Sequence, residues 1–488
     1  MQDKKDFTPR SFYDYEKEEA GKTEDEIDAI IREIYRSAVH EEMPGQPKAE
    51  PKHGDTQVWH PADLKTAQQT TQWPVYTEPA EEIPQTWERT SRERARPGKK
   101  RRRRRWPMAL ACTLLLAVGL YGIAIYGNIP FIRKWRDIYI ETAMGTMTHQ
   151  WLATAIIEDE IIEEVMDTRT DVETSQEEID THWEAQPLKD ADEKIKWKKL
   201  RKRFFELYSE IDPDSFEAYI EQYGDGCIDE EGYLVIDHAE IGEKETGIVT
   251  VHGDPVLAVD TKNGITIIKV TGSEYDSRLA IVKDPAQLDL ALAEGFGTEG
   301  STIGRIAADN NAVLAVNASG FYDPEGHGNG GIAHGLVIKD GQIYSEFAGG
   351  NNKTIGFDYE NNLQIGIYRD GQNLRDAVEF KPALVFDGQK MVEGSAGWGI
   401  SPRTAIGQTR NGQVLLLVVD GRQPGHSIGC TMGDLADVLL RYDAYQACNL
   451  DGGSSSIMYY NGRKITRPSA GDKESGRRLP NAFIITAR

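Results

Sequence analysis

Four cysteines are all that 488 residues contain, and no two are spaced as Cys-x-x-Cys. That removes a zinc ribbon and a thioredoxin-like redox site. Cys112 falls in an apolar run, leaving Cys227, Cys430 and Cys448, an odd set with room for at most one bridge and a free thiol. Positive charge is also scarce. With 56 basic against 79 acidic residues the net charge is −23, and no long basic face marks the C-terminal part, which argues against nucleic acid as its partner. No Ser/His/Asp or Cys/His arrangement stands out for an amidase or peptidase, and Cys430 and Cys448 sit in apolar runs as packed thiols. His327, His334 and His426 are scattered through Gly-rich loops without ligand spacing and read as solvated or loop-capping. No cofactor is therefore expected. Asp323 and Asp451 are the carboxylates open to a divalent cation.

What is present divides the chain into four parts. Residues 1–98 are acidic and rich in Pro, Gln and Thr, the composition of a disordered tail. Within them, Thr23 and Glu26 form a capping-box pattern, and Ile27, Ile30, Ile31 and Ile34 fall on one helical stripe. A short amphipathic helix over 23–39 is thus expected to dock on a cytoplasmic protein partner. Residues 99–127 join a basic run, Lys99 to Arg105, to an uncharged span, 107–127, long enough for a helix to cross hydrocarbon. The charge asymmetry predicts a single-pass type II signal-anchor in the cell membrane with the C-terminal domain extracellular. A cleavable signal peptide does not fit, because roughly 100 residues precede the apolar run. Residues 128–245, rich in Glu, Asp, Lys and Trp, read as a helical extracellular neck. Trp197 to Tyr208 is amphipathic there, its basic residues a solvated face.

From 246 to 488 the texture changes to short β-rich runs broken by Asn263-Gly264, Asp340-Gly341, Asp387-Gly388, Asn411-Gly412 and Asn461-Gly462, each a hairpin signal. Two helices are expected among them, near 301–310 and over 431–442. The fold class predicted is α+β, with a mixed β-sheet in the C-terminal domain.

Four apolar strands of this domain deliver polar clusters at their ends: Val313 to Asn317, Ser401 to Gly407 with Arg403, Val414 to Asp420 with Arg422 beyond, and the run from Tyr445 into Asn449 to Ser456, which holds Asp451-Gly452-Gly453-Ser454. The set suits a phosphorylated sugar. Arg403 and Arg422 can grip a phosphodiester through paired N–H donors. The N–H groups of Gly452, Gly453 and Ser454 can add anion stabilisation. Asp420 and Asp451 supply the two carboxylates that acetal cleavage uses, and Asn317 and Asn449 suit hydroxyl or amide recognition.

The stretches AVNASGFYD (315–323), SPRTAIGQ (401–408), LLVVDGR (416–422), SIGCTMGDLADVLL (427–440), NLDGGSSS (449–456) and Asn481-Ala482-Phe483 follow one another as in the phosphodiester glycosidase family, which residues 246–487 resemble. Thr142 to Leu152 is similar to the neck of membrane-anchored bacterial members. The chain departs from the family pattern at Ser319 and Ser454, where glycine is usual, and it has two arginines, Arg477 and Arg478, where the family keeps one before its last strand. The resemblance implies a hydrolase cleaving a sugar-1-phosphodiester, with Arg477 among the substrate-binding residues. Extracellular placement adds the expectation of a cell-envelope glycopolymer or exopolysaccharide as substrate. The alternative is a non-catalytic glycopolymer-binding or scaffolding protein linking the envelope to a cytoplasmic partner.

Overall fold

Val414–Val419 is six apolar residues in succession, and both of its faces are buried. Val414, Leu416 and Val418 enter one core while Leu415, Leu417 and Val419 enter another, so a period of two serves two layers at once. The computed structural model describes residues 106–488 apart from 190, 192, 370 and 472–474, and the helix expected at 23–39 lies outside the described residues.

This strand is central in a nine-stranded sheet ordered Val235–Asp237 (β1), Val256–Asp260 (β2), Ile265–Thr271 (β3), Asp276–Val282 (β4), Val414–Val419 (β15), Arg403–Thr409 (β14), Ala444–Leu450 (β16), Ala383–Phe386 (β12) and Gln389–Lys390 (β13). Two five-stranded sheets pack on one of its faces. The first comprises Arg463–Lys464 (β18), Met458–Tyr460 (β17), Ala312–Asn317 (β6), Asn481–Thr486 (β19) and Leu288–Leu292 (β5). The second comprises Leu363–Gly366 (β10), Lys353–Asp358 (β9), Leu374–Phe380 (β11), Val337–Lys339 (β7) and Gln342–Ser345 (β8). Val316, Phe483, Phe357 and Val378 from these sheets meet Leu416 and Val418 in a shared core.

The mixed sheet expected from the sequence is corrected here: all the pairings between these strands are antiparallel. The cause is local. All five Asn-Gly and Asp-Gly dipeptides lie between paired neighbours, and at 340–341, 387–388 and 461–462 both turn residues take positive φ, the geometry a two-residue hairpin requires.

Among the described residues, six helices run seven residues or longer: Trp106–Tyr126 (α1), Pro130–Met144 (α2), Asp159–Ser175 (α3), Pro213–Tyr223 (α4), Ile303–Asp309 (α5) and Met432–Arg441 (α6). The helix α6 covers the second face of the large sheet through Leu435, Val438 and Leu439, and its start is fixed by a full capping box between Thr431 and Asp434. α5 lies where the sequence placed it and packs Ile303, Ile306 and Ala307 against β6 and β19. Among the described residues no single helix is long and apolar enough to cross a membrane. One pair, Leu110–Tyr126 with Pro130–Met144, passes together but is bent by 82°.

Residues 159–245 do more than space the domain. Thr181 pairs with Ile365 on β10, its N–H donating to the carbonyl at 2.9 Å and its hydroxyl accepting the Ile365 N–H at 2.7 Å. Gln176 bonds both backbone groups of Ala383, each at 3.0 Å. Phe204, stacked on Phe216 with centroids 4.4 Å apart, anchors an aromatic cluster under β1 and β2, while Arg201 and Lys202 of the same stretch face solvent as the sequence implied. An enclosed Glu210–Lys283 pair at 2.7 Å ties this segment to the end of β4. These segments strap the sheets, and the large sheet itself begins at Val235, ahead of residue 246.

Candidate active site

β15 and β16 both run antiparallel to β14, with Arg403 opposite Val419 and Thr404 opposite Leu450. Their C-terminal ends, Asp420 and Asp451, therefore emerge at the same edge, on either side of Pro402 and Arg403 at the start of β14. β6 ends at that edge too. The Asp451 N–H donates to the Ala318 carbonyl at 3.2 Å, and Asn317 Nδ2 donates to the Asp451 carbonyl at 2.6 Å. The four stations read from the sequence thus converge, because antiparallel pairing puts strand ends and strand starts together.

Convergence does not leave each side chain free. Asn317 is fully buried, and its Oδ1 accepts from the Thr404 hydroxyl at 2.8 Å and the Ile457 N–H at 3.1 Å. Asn449 is buried as well, with Nδ2 on the Lys381 carbonyl at 2.8 Å. Asn317 stitches β6 to β14 and to the turn after Asp451, while Asn449 ties β16 to the β11–β12 connection and leaves its Oδ1 without a hydrogen-bond partner. Arg403 is enclosed, with Nη2 donating to the Trp398 and Gly399 carbonyls at 2.7 and 3.0 Å, and burial, with Arg422 nearby, brings its guanidinium down to about 10. The Gly453 N–H donates to the Pro402 carbonyl at 2.8 Å, so it is not among the donors open to an anion.

Asp451, Arg422, Ser454 and Arg477 remain at the mouth. Asp451 is half-buried, and desolvation pushes its carboxyl from 3.8 up to about 7, against the opposing pull of Ser455, Arg477 and the Gly452 N–H; the nearby Asp323 charge adds to the rise. Arg422 is exposed and takes a left-handed φ of 58°, which turns it back over the Asp-Gly-Gly turn. A Cβ on Gly453 would lie 3.3 Å from its Nη2. Among the described residues no partner holds the Arg422 guanidinium. Arg477 makes a two-pronged pair with Asp323, both contacts at 2.7 Å, donates to Ser454 Oγ at 2.9 Å and lies 4.7 Å over the Phe321 ring. Arg478 instead faces solvent beside Glu299, so Arg477 is the one of the two at the site. The two serines that depart from the family pattern are both bonded: Ser454 to Arg477, and Ser319 through N–H and hydroxyl to Asn481 Oδ1 at 3.0 and 2.9 Å.

Two groups given no part in substrate handling by the sequence reading lie beside these residues. Asp323, read there only as a carboxylate open to a cation, is held by Arg477 and by the Gly328 N–H at 2.6 Å. Burial alone would raise it, but these bonds win and its carboxyl stays below the usual carboxylate range. His426 is the other, with Nε2 2.9 Å from Asp420 Oδ2. Asp420 itself is enclosed, its second oxygen accepting the Arg467 N–H at 2.8 Å, and burial pushes its carboxyl upward despite His426. Both misses have one cause: Gly-rich loops carry no periodicity, so nothing in them shows which polar residue folds inward. For a cation, Asp276, Asp420 and His426 bring ligand atoms within 4.8 Å of one another, but Arg278 already pairs with Asp276 and supplies positive charge there.

The turn that holds Arg403 is in turn held by α2. Glu141 is buried, with its carboxylate accepting from the Gly399 N–H at 3.2 Å and from Gly397, and Thr142 Oγ1 accepts the Ile400 N–H at 3.0 Å. The approach is close enough that a Cβ on Gly399 would sit 2.4 Å from the Thr142 nitrogen. Glu141→Ala orphans these donors and is expected to cost about 1–3 kcal/mol. Faster hydrogen exchange at the Gly397 and Gly399 amides, alongside a lower Tm, is the expected readout. Unchanged exchange at both would show that α2 does not hold the turn.

Residues 310–486 match the family model described as phosphodiester glycosidase. The chain is 35% identical over 224 residues to the mouse N-acetylglucosamine-1-phosphodiester alpha-N-acetylglucosaminidase, covering 41% of this chain and 42% of that protein. It is 29% identical over 225 residues to the SPbeta prophage-derived uncharacterized protein YomE of Bacillus subtilis, covering 42% of this chain and 34% of that one. The match therefore spans well under half the length of either relative. Among solved structures, the zebrafish catalytic domain of the same glucosaminidase, auto-inhibited by its pro-peptide, aligns at 20% identity with a TM-score of 0.38, covering 46% of this chain and 82% of that chain.

Proposed function

We propose that the chain, whose residues 310–486 match the phosphodiester glycosidase family, hydrolyses a sugar-1-phosphodiester at the cleft around Asp451. One observation carries the reading: the half-buried Asp451 carboxyl, raised to about 7, stands two residues before Gly453, against which the unpartnered Arg422 guanidinium lies. Arg422 holds the phosphodiester charge through paired N–H donors. Asp451 donates a proton to the departing phosphate oxygen as the bond from C1 to that oxygen breaks and water adds to C1. Arg477, fixed by Asp323, sets the Ser454 hydroxyl and the turn beneath. β15 and β16 are two strand spacings apart, about 10 Å.

The membrane setting belongs to the same proposal. α1 is the anchor, the domain lies outside the cell, and the substrate is a phosphodiester-linked sugar of an envelope glycopolymer or exopolysaccharide. Support comes from the uncharged 107–127 span behind its basic run. The test is full-length protein in lipid nanodiscs with synthetic N-acetylglucosamine-1-phosphodiesters and other sugar-1-phosphodiesters, read as free reducing sugar. No release across the panel, with binding retained, would leave a glycopolymer-binding module in its place.

The Asp451 proton also sets a pH profile. Turnover is expected to fall as pH rises through about 7, where the acid is lost. Stability moves the same way. The folded carboxyl holds its proton more tightly than an unfolded one, so this group's contribution is complete below about 4 and declines until about 7. The Tm difference between wild type and Asp451→Asn should therefore shift in favour of the variant between pH 5 and 7. A difference that stays flat across that window would contradict the raised carboxyl.

A further inference from the structure

Three residues separate α1 from α2, and the axis turns through 82° between them. With α1 along the bilayer normal, α2 runs nearly parallel to the membrane surface. α2 is covered on two sides. Ile140 and Ala143 pack on Ile162 and Val165 of α3, and Glu141 and Thr142 reach the 399–400 turn. What remains is a stripe at i, i+4 and i+8: Phe131 at 72%, Trp135 at 41% and Tyr139 at 40% exposure. Tyr126 and Ile129 extend it toward α1, and Trp151 extends it beyond, with the Tyr139 hydroxyl donating to the Leu152 carbonyl at 2.8 Å to join the two segments. Lys134 is exposed on the same helix, and Arg133 beside it pairs with Glu164 of α3 at 3.3 Å.

We propose that this aromatic face of α2 is seated in the headgroup layer of the bilayer that α1 crosses. The inference rests on reading α1 as the anchor. Its occupant follows from chemistry and continuity. Trp and Tyr rings have an apolar body and a polar tip that suit the boundary between hydrocarbon and water, and a helix turned sharply off a spanning helix has that boundary within reach. Glu141 and Thr142, at the C-terminal end of α2, hold the turn around Arg403. Seating α2 in the interface therefore fixes the height and orientation of the candidate active site, which favours substrate close to the membrane surface over polymer diffusing freely beyond it.

The test uses the full chain with Cys112 and Cys227 replaced by serine; Cys430 and Cys448 are enclosed. Single nitroxide labels are placed in turn at 131, 135 and 139, with references at Leu116 in α1 and at the exposed Tyr359 on the β9–β10 turn. In vesicles of phosphatidylcholine and phosphatidylglycerol, the three α2 labels are expected to collide several-fold more with oxygen than with a water-soluble nickel chelate, and the label at 359 to show the reverse. If 131, 135 and 139 behave like 359 while 116 is shielded, the anchor stands and the docking of α2 is wrong. If 116 is also open to the chelate, the anchor reading fails and takes the docking with it.

Discussion

Asp451→Asn is expected to reduce kcat on a sugar-1-phosphodiester by roughly 10²–10⁴-fold, the contribution a positioned proton donor makes. The substitution is almost isosteric, and the residue it replaces already prefers its neutral form below about 7, so the fold loses little. The amide keeps the shape of the protonated acid but has no proton to release. KM should change far less than kcat, because Arg422, not Asp451, carries the phosphate charge in this scheme. Arg422→Ala should therefore show the opposite split, with KM rising most. Wild-type turnover by a well-folded Asp451→Asn protein would end the catalytic proposal, whatever the other residues do.

Arg477→Met should destabilise the protein by about 3–5 kcal/mol, the cost of stranding one member of an enclosed ion pair. Asp323 and Arg477 side chains are only 15% and 12% exposed, and both carboxylate oxygens lie 2.7 Å from the guanidinium. Lysine at 477 should rescue little, since it cannot reproduce the two-pronged contact. Adding Asp323→Asn to Arg477→Met should return part of the loss, because the stranded charge is gone. The neighbouring Arg478→Ala is the internal comparison: its partner Glu299 is 60% exposed, and a change within about 0.5 kcal/mol is expected. Urea unfolding of the four variants decides the matter. Equal effects at 477 and 478 would mean that the pair does not organise the site.

Much of the domain could be read locally. Five hairpin dipeptides, the helix over 431–442 and the apolar stretch of β15 are short-range signals, and each appears in the fold where the residues placed it. The site was legible only in outline. Asp420 and Asp451 were legible as carboxylates after apolar strands, and Arg403 as a cation where one begins. Asp323 was legible only as a carboxylate open to a cation and His426 only as a loop residue, because their loops have no period to interpret. Asn317 and Asn449 looked like ligand-facing groups, but a strand end can point into a cleft or into the junction of two sheets, and one chain of letters does not distinguish the two.

Taken alone, the order of residues determines a hairpin-rich β domain behind an uncharged span and a basic flank, with acids and arginines at strand ends; that every strand pairing is antiparallel came from the structure. Only tertiary structure decided which of those groups are free. Pairing β15 and β16 to β14 sets two carboxyls at one edge, while desolvation and neighbouring charge separate Asp451 from Asp323. It also made α2 a support for the turn around Arg403, through contacts across 258 residues of sequence. The reason is range: turn and strand preferences act over a few residues, whereas burial and charge act through space between segments that the sequence leaves far apart.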